Sequence, residues 1–291
     1  MRNSQRLRSD EPVQVAADLT QYWRDGYAIV RGLFSSAEVR EIATAADQVH
    51  AEGEAHGRSF RRGNLFYNVA KSGAGEPLVR MVQWPSYHQS VLNRARLDTR
   101  FAELLEPLVG CDLKQIINQI HWKAPGSLGD FAWHQDSRSR RPASAYRNLA
   151  DSYVQTGLAI DPHGPESGGM RFIPRSHLQG DLHMDCSKHA LGATMTDRAL
   201  AAVGLSAENA VDLILEPGDL AVWSPYLVHG SGTNHSGHKR RLYINGYVRA
   251  GDCDRGEWAF RDGQPVPLGP EPALVHYEAL RERPGPHYVE D

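Results

Sequence analysis

The chain has 291 residues, 41% of them apolar and 23% charged, with six tryptophans and a formal net charge of −3. That length fits one large domain or two ordinary ones, and that composition excludes a disordered chain. The near-neutral balance argues against a surface built for nucleic acid or an anionic membrane, and no apolar run approaches the roughly 18 residues that span a bilayer.

Met1 to Asp10 is polar, without the apolar core of a secretory signal. Cys111, Cys186 and Cys253 are far apart and form no C-x-x-C, which reads as free thiols in a reducing cytosol. A cytoplasmic protein is therefore expected.

In chain order, a polar arm over residues 1–20 leads into a short helix near Leu19 to Arg24. Gly26 to Phe34 reads as a short buried strand. Ser35-Ser36-Ala37-Glu38 has the form of a capping box. Val39, Ile42, Ala46 and Val49 follow at helical spacing, so a helix covering a sheet is expected. The basic, glycine-flanked stretch Arg58 to Gly63 reads as a loop, either solvated or a lid over an acidic substrate. Tyr87 to Arg96 and Asp98 to Leu108 read as two further helices, the second with Asp98 as its N-cap.

From Asp112 the helical periodicity gives way to short runs separated by Gly, Pro and Asp: 112–123, 131–136, 153–161, 169–174, 211–215, 219–229 and 240–249. Short strands with turn signals predict an antiparallel sandwich or barrel. The expected plan is one domain over residues 1–291. A helical part (about 1–110) packs on a β core (about 111–250), and an extension (251–291) resembles nothing recognisable.

The chemistry concentrates in Phe131-Ala132-Trp133-His134-Gln135-Asp136. In an extended stretch, His134 and Asp136 project from the same side. An imidazole and a carboxylate there can take adjacent positions on one metal, half of a two-histidine-one-carboxylate triad. The run after Pro217-Gly218-Asp219 is apolar as far as Val228 and delivers His229 at its far end, before a loop of Gly, Ser and Asn. A histidine at the tip of a buried strand is placed as a third ligand would be.

Two strands carry further candidates. In 112–123, Ile117, Gln119, His121 and Lys123 share one face, which looks either into a cavity or out to water. In 240–249, Arg240 shares a face with Leu242 and Ile244, while Arg241 shares the other with Tyr243 and Asn245. A guanidinium on an apolar face needs an anion, and a carboxylate held bidentately supplies one. A second H-x-D, His183-Met184-Asp185, lies in a polar stretch without strand alternation.

The combination resembles the phytanoyl-CoA dioxygenase (PhyH)-like branch of the Fe(II)/2-oxoglutarate-dependent oxygenases. The matching pieces are Trp133-His134-Gln135-Asp136, Glu166-Ser167-Gly168-Gly169 through Pro174-Arg175-Ser176-His177, Pro217-Gly218-Asp219, and His229-Gly230-Ser231-Gly232 through Arg240. Gly26 to Phe34 with the helix after it also resembles the family's N-terminal segment. The resemblance runs roughly from residue 20 to 250.

The resemblance implies a mainly β fold with flanking helices, a double-stranded β-helix (jelly roll, cupin-like). It implies iron on His134, Asp136 and His229, and 2-oxoglutarate anchored by Arg240 with Ser231 and Gln119 assisting. O2 is the co-substrate, and succinate and CO2 are released. Hydroxylation of a small-molecule C–H bond is the expected reaction, with desaturation, epoxidation or rearrangement as other outcomes. Related halogenases replace the carboxylate ligand by a small residue, so Asp136 disfavours halogenation.

Two departures stand out. The family's Pro-Gly-Ser-His reads Pro174-Arg175-Ser176-His177 here, and Arg241, next to Arg240, competes for the anchoring role. His121, Lys123, Arg138 and Arg141 are candidate substrate contacts. With Arg140 and Arg147, the two loop arginines would form a rim favouring an acidic or carrier-linked substrate. A cupin-like binding protein without catalysis, or a barrel using another metal for hydrolysis, is the alternative. Arg240 has no obvious purpose in the hydrolase.

Overall fold

The computed structural model describes residues 19–126, 130–184, 190–191, 193, 195–273 and 282–289. The polar arm before Leu19, Cys186, and Asp185 of the second H-x-D lie outside the described residues.

The front of the chain runs α1 (Thr20–Asp25), β1 (Tyr27–Val30), α2 (Ser36–His56), β2 (Phe60–Arg62), β3 (Leu65–Lys71), β4 (Pro77–Gln83), α3 (Ser90–Arg96) and α4 (Thr99–Val109). Helix α2 starts at the expected capping box. The Glu38 amide donates to the Ser35 hydroxyl at 3.3 Å, and the Ser35 amide donates to the Glu38 carboxylate at 2.7 Å. The Asp98 carboxylate caps α4 through the Arg100 amide at 3.0 Å.

The expectation of a helical front needs correction, because residues 60–83 are three strands. Tyr67, Val69 and Val79 bury their side chains under α2, and Gly53 of that helix leaves room for Val79. What selects strand here is packing against a covering helix, which local propensity does not encode. Arg58 to Gly63 is likewise no lid. Its β2 is a ladder strand paired with β3, and none of its residues lines the cavity described below.

The core strands are β5 (Leu113–Lys123), β6 (Phe131–His134), β7 (Tyr153–Ala159), β8 (Met170–Phe172), β9 (Val211–Asp212), β10 (Leu220–Trp223), β11 (His229–Ser231) and β12 (Arg240–Arg249). After them come β13 (Glu257–Arg261), β14 (Gln264–Pro265) and β15 (His287–Tyr288). The main sheet runs β1-β10-β7-β12-β5-β4-β3-β2-β15, with β13 also on β5 and β14 on β13. A second sheet runs β6-β11-β8-β9. Every pairing is antiparallel.

Ile117, Ala159, Trp223, Leu242 and Ile244 of the main sheet pack against Met170 and Phe172 of the second, closing the jelly-roll interior. The outer face of the main sheet is sealed by α2 and α4 through Val39, Ile42, Val49, Leu104, Leu105 and Leu108. The alternation of β5 thus turns Gln119 and His121 inward, and turns Ile120 and Trp122 toward the helices.

The run 219–229, expected as one strand, is two. β10 ends at Trp223 in the main sheet, and the chain crosses at Ser224 to Val228 before β11 opens at His229 in the second sheet. Pro225 has no amide for a ladder, and the Leu227 amide closes a turn on the Ser224 carbonyl at 3.0 Å. The departure at Pro174-Arg175-Ser176-His177 preserves the turn: Arg175 takes the left-handed conformation (φ 69°) that glycine adopts freely. Ser176 can then accept the Val228 amide at 2.8 Å, tying down the residue before His229.

Candidate metal centre and cosubstrate pocket

The second sheet builds the centre. β6 and β11 pair in antiparallel register with His134 directly opposite His229, which sets the imidazole centroids 4.2 Å apart. β6 ends at His134, but Gln135 stays extended (φ −114°, ψ 135°), so Asp136 projects on the same side as His134. Donor atoms of His134, Asp136 and His229 all lie within 4.8 Å of one another.

Hydrogen bonds fix which atoms face inward. His134 Nδ1 lies 2.8 Å from the Ala132 carbonyl, and His229 Nδ1 lies 2.9 Å from that of Leu227. Each Nδ1 therefore carries the proton, and each Nε2 presents its lone pair to the centre. The Nε2 atoms stand 3.9 and 3.7 Å from Asp136 oxygens. These separations are too long for hydrogen bonds and suit donors that share an ion. Burial, with His229 beside it, brings His134 down to about 4, so it is neutral at pH 7.

Asp136 is held ready as an anion. Burial alone would raise its pKa, but the two imidazoles, Arg140 and the Trp223 indole together hold it below the ordinary carboxylate value. Trp223 Nε1 donates to Asp136 Oδ2 at 2.9 Å, and Arg140 Nη2 stands 3.9 Å from Oδ1. Two histidines and one carboxylate, with the histidine tautomers set and the carboxylate oriented, fit Fe(II) and leave open positions.

A cavity with an empty volume of about 480 Å³ opens over this centre. Gln119, His121, Gln155 and Arg240 line it, together with the three donors and apolar walls such as Phe131 and Met170. Arg240 is buried, at 3% exposure. Its Nη2 donates to the Gly168 carbonyl at 2.6 Å, and its Nε is buried without a hydrogen-bond partner. Burial lowers its pKa to about 10, so it stays charged. Gly168 belongs to the Glu-Ser-Gly-Gly motif, and a Cβ there would sit 2.6 Å from the Gly232 carbonyl. The motif's glycine thus lets its loop approach closely and place the carbonyl that steadies Arg240.

Arg241 is engaged elsewhere: its guanidinium donates to both Asp161 oxygens at 2.8 and 2.7 Å, and to Asp47 at 3.0 Å. Between the two adjacent arginines, only Arg240 lines the cavity. Ser231 also lines it, with its Oγ accepting from Lys123 at 2.8 Å. His121 lines the cavity with an unpartnered Nε2; burial, then Arg240 and Lys123, bring it down to about 3, so it is neutral.

The loop arginines divide. Arg138 lies 3.8 Å from Asp181, Arg141 is exposed and bonds the Arg140 carbonyl, and Arg147 pairs with Asp254. None of them lines the cavity. Arg140 instead turns inward beside Asp136, with its guanidinium 5.0 Å from the Tyr153 ring centroid. His183 of the second H-x-D is 83% exposed.

Trp223 and Gln155 were not singled out from the sequence. A lone tryptophan in an apolar strand does carry a signal, since its buried N–H needs an acceptor. Gln155 carries the same signal inside 153–161.

The phytanoyl-CoA dioxygenase (PhyH) family model matches residues 22–242. The chain is 24% identical, over 79% of its length and 77% of the relative's, to a probable alpha-ketoglutarate-dependent hypophosphite dioxygenase of Stutzerimonas stutzeri. It is 24% identical, over 84% and 85% of the two chains, to a 2-aminoethylphosphonate dioxygenase of an uncultured bacterium. Among solved structures, EctD from S. alaskensis with 2-oxoglutarate and 5-hydroxyectoine superposes at TM-score 0.61 with 19% identity, covering 88% of this chain and 87% of the other. The epimerase SnoN with Fe3+, alpha ketoglutarate and nogalamycin RO superposes at 0.59 with 22% identity, covering 87% and 94%. These likenesses show the double-stranded β-helix fold.

Proposed function

This chain belongs to the phytanoyl-CoA dioxygenase family, and we propose from that premise that it is an Fe(II)- and 2-oxoglutarate-dependent dioxygenase holding its iron on His134, Asp136 and His229. The observation that carries the reading is the pairing of the three convergent donors with a buried guanidinium, Arg240, on the same cavity. A non-catalytic cupin or a hydrolase would leave that cation without a role.

Bound Fe(II), 2-oxoglutarate and O2 supply the oxidising chemistry, with loss of succinate and CO2 balancing oxidation of the substrate. The residues do the rest. His134, Asp136 and His229 would hold the iron between them. Arg240 takes the distal carboxylate of the 2-oxo acid, with Ser231 and Gln119 beside it. Phe131, Met170, Leu242 and Ile244 keep water from the reacting centre. No side chain is asked to act as nucleophile.

The substrate is read as a small molecule, in line with the relatives named for hypophosphite and 2-aminoethylphosphonate. Those names suggest the first compounds to try. The test is succinate release from 2-oxoglutarate with Fe(II), screened against small phosphonates and carboxylates. Substrate-stimulated release that Asp136→Ala abolishes is expected; release equal in wild type and Asp136→Ala would overturn the reading.

A further inference from the structure

Lys123, the last residue of β5, lies directly opposite Arg240, the first of β12. Directly opposed residues of an antiparallel pair share a face, and like charges there repel. Both side chains are buried, at 1% and 3% exposure. Among the described residues neither donates to a carboxylate. Lys123 donates to the Ser231 hydroxyl at 2.8 Å and to the Gly232 carbonyl, and Arg240 donates to the Gly168 carbonyl. Two basic groups set face to face, without an anion between them, are an arrangement in which burial penalises charging both.

Ser231 connects this pair to the cavity. Its oxygen accepts from Lys123, so its own hydroxyl hydrogen is left to donate toward the space it lines. We propose that Lys123 is a positioning residue for the distal carboxylate of the 2-oxo acid: its amine orients the Ser231 hydroxyl, which together with Arg240 seats a dicarboxylate. The inference rests on the reading of this pocket as the 2-oxoglutarate site.

The electrostatics agree. Burial, then Arg240, bring the Lys123 ammonium down to about 6 from 10.5, against the opposing pull of Asp130. Buried His121 and His163 also face the pair and are held neutral by burial first and then by the same two basic groups. Between pH 6 and 10.5 the folded chain therefore binds less of a proton at Lys123 than the unfolded chain does. This residue costs stability at neutral pH, and the cost fades as pH rises toward 10.5. A side chain that weakens the ligand-free fold, and whose hydroxyl contact opens on the cavity, is explained by what the cavity takes up.

The experiment is calorimetric binding to wild type and Lys123→Met loaded with Mn(II), which binds without turnover, using 2-oxoglutarate and pyruvate, the 2-oxo acid without a distal carboxylate. Lys123→Met should weaken 2-oxoglutarate by about tenfold or more, leave pyruvate unchanged, and melt no lower than wild type without ligand. Lys123→Arg should recover part of the 2-oxoglutarate affinity. Unchanged 2-oxoglutarate binding, or equal loss for both acids, overturns the proposal. A wild type that takes up Mn(II) but neither acid overturns instead the reading of the pocket, and the proposal with it.

Discussion

At the scale of single residues, the centre depends on groups that hold its ligands as much as on the ligands. Trp223 comes from β10 of the main sheet and reaches Asp136 at the end of β6 in the second sheet. Its indole N–H takes one carboxylate oxygen, so the other is left to aim at the metal. Removing such a partner costs about 10–100-fold in metal affinity or activity. Trp223→Phe keeps the apolar ring and deletes the donor. We expect it to weaken Fe(II) or Mn(II) binding by about tenfold, measured by metal titration, with little change in fold. Undiminished metal binding would mean that packing alone orients Asp136.

At the scale of elements, the turn Pro217-Gly218-Asp219 shows how a local motif sets the geometry of a distant site. Gly218 takes a left-handed φ of +98° directly against the Phe34 carbonyl, where a Cβ would clash. Asp219 then accepts the amides of Gly32 at 2.8 Å and Glu216 at 2.9 Å, and pairs with Arg31. This ties the β1–α2 connection to the start of β10, the strand that carries Trp223. Burial would raise the Asp219 pKa, but the two amides and Arg31 outweigh it and hold it below 3.8. A depressed carboxyl stabilises the fold above its unfolded value and loses that contribution as pH falls through its folded value. Asp219→Asn should cost about 1–3 kcal/mol at pH 7, read by denaturant unfolding. The gap from wild type should close as pH drops below 3.8; a constant gap would assign the loss to packing.

The same scale shows what local sequence reveals. The capping box at Ser35, the Asp98 cap and the alternation of β5 and β12 are short-range patterns, and each element forms where its pattern lies. The strands over 60–83 have no comparable mark, because their inward residues are chosen by the underside of α2. The break at Ser224 to Val228 was hidden because an apolar run reads alike whether it stays in one sheet or crosses to another. Arg175 shows the limit from the other side. A residue that departs from the motif still adopts glycine's conformation, because the Ser176 bond to Val228 holds the turn.

At the scale of the whole molecule, the site exists only because two sheets face each other. The second sheet contributes His134 and His229 and leads into Asp136, while the main sheet contributes Gln119, His121, Gln155, Trp223 and Arg240. The H-x-D and the later histidine announce their chemistry in sequence. Whether Arg240 or Arg241 faces the pocket is settled by strand parity and by Asp161 and Asp47, carboxylates far away in the chain. Trp223 escapes a linear reading for the same reason, since it reaches Asp136 from the other sheet; Arg140 lies only four residues from Asp136. Among the described residues no helix is long and apolar enough to cross a membrane.

The central claim is that one pocket chelates Fe(II) with His134, Asp136 and His229 while Arg240 receives the far end of 2-oxoglutarate. Anaerobic addition of Fe(II) and 2-oxoglutarate, followed by visible absorption, tests both halves together, because the metal-to-ligand band arises only when the 2-oxo acid chelates the iron. The account predicts a band in wild type, no band in His134→Ala or Asp136→Ala, and in Arg240→Ala a band that needs far more 2-oxoglutarate to saturate. A wild type that binds iron but shows no band, or an Arg240→Ala that saturates like wild type, would contradict it.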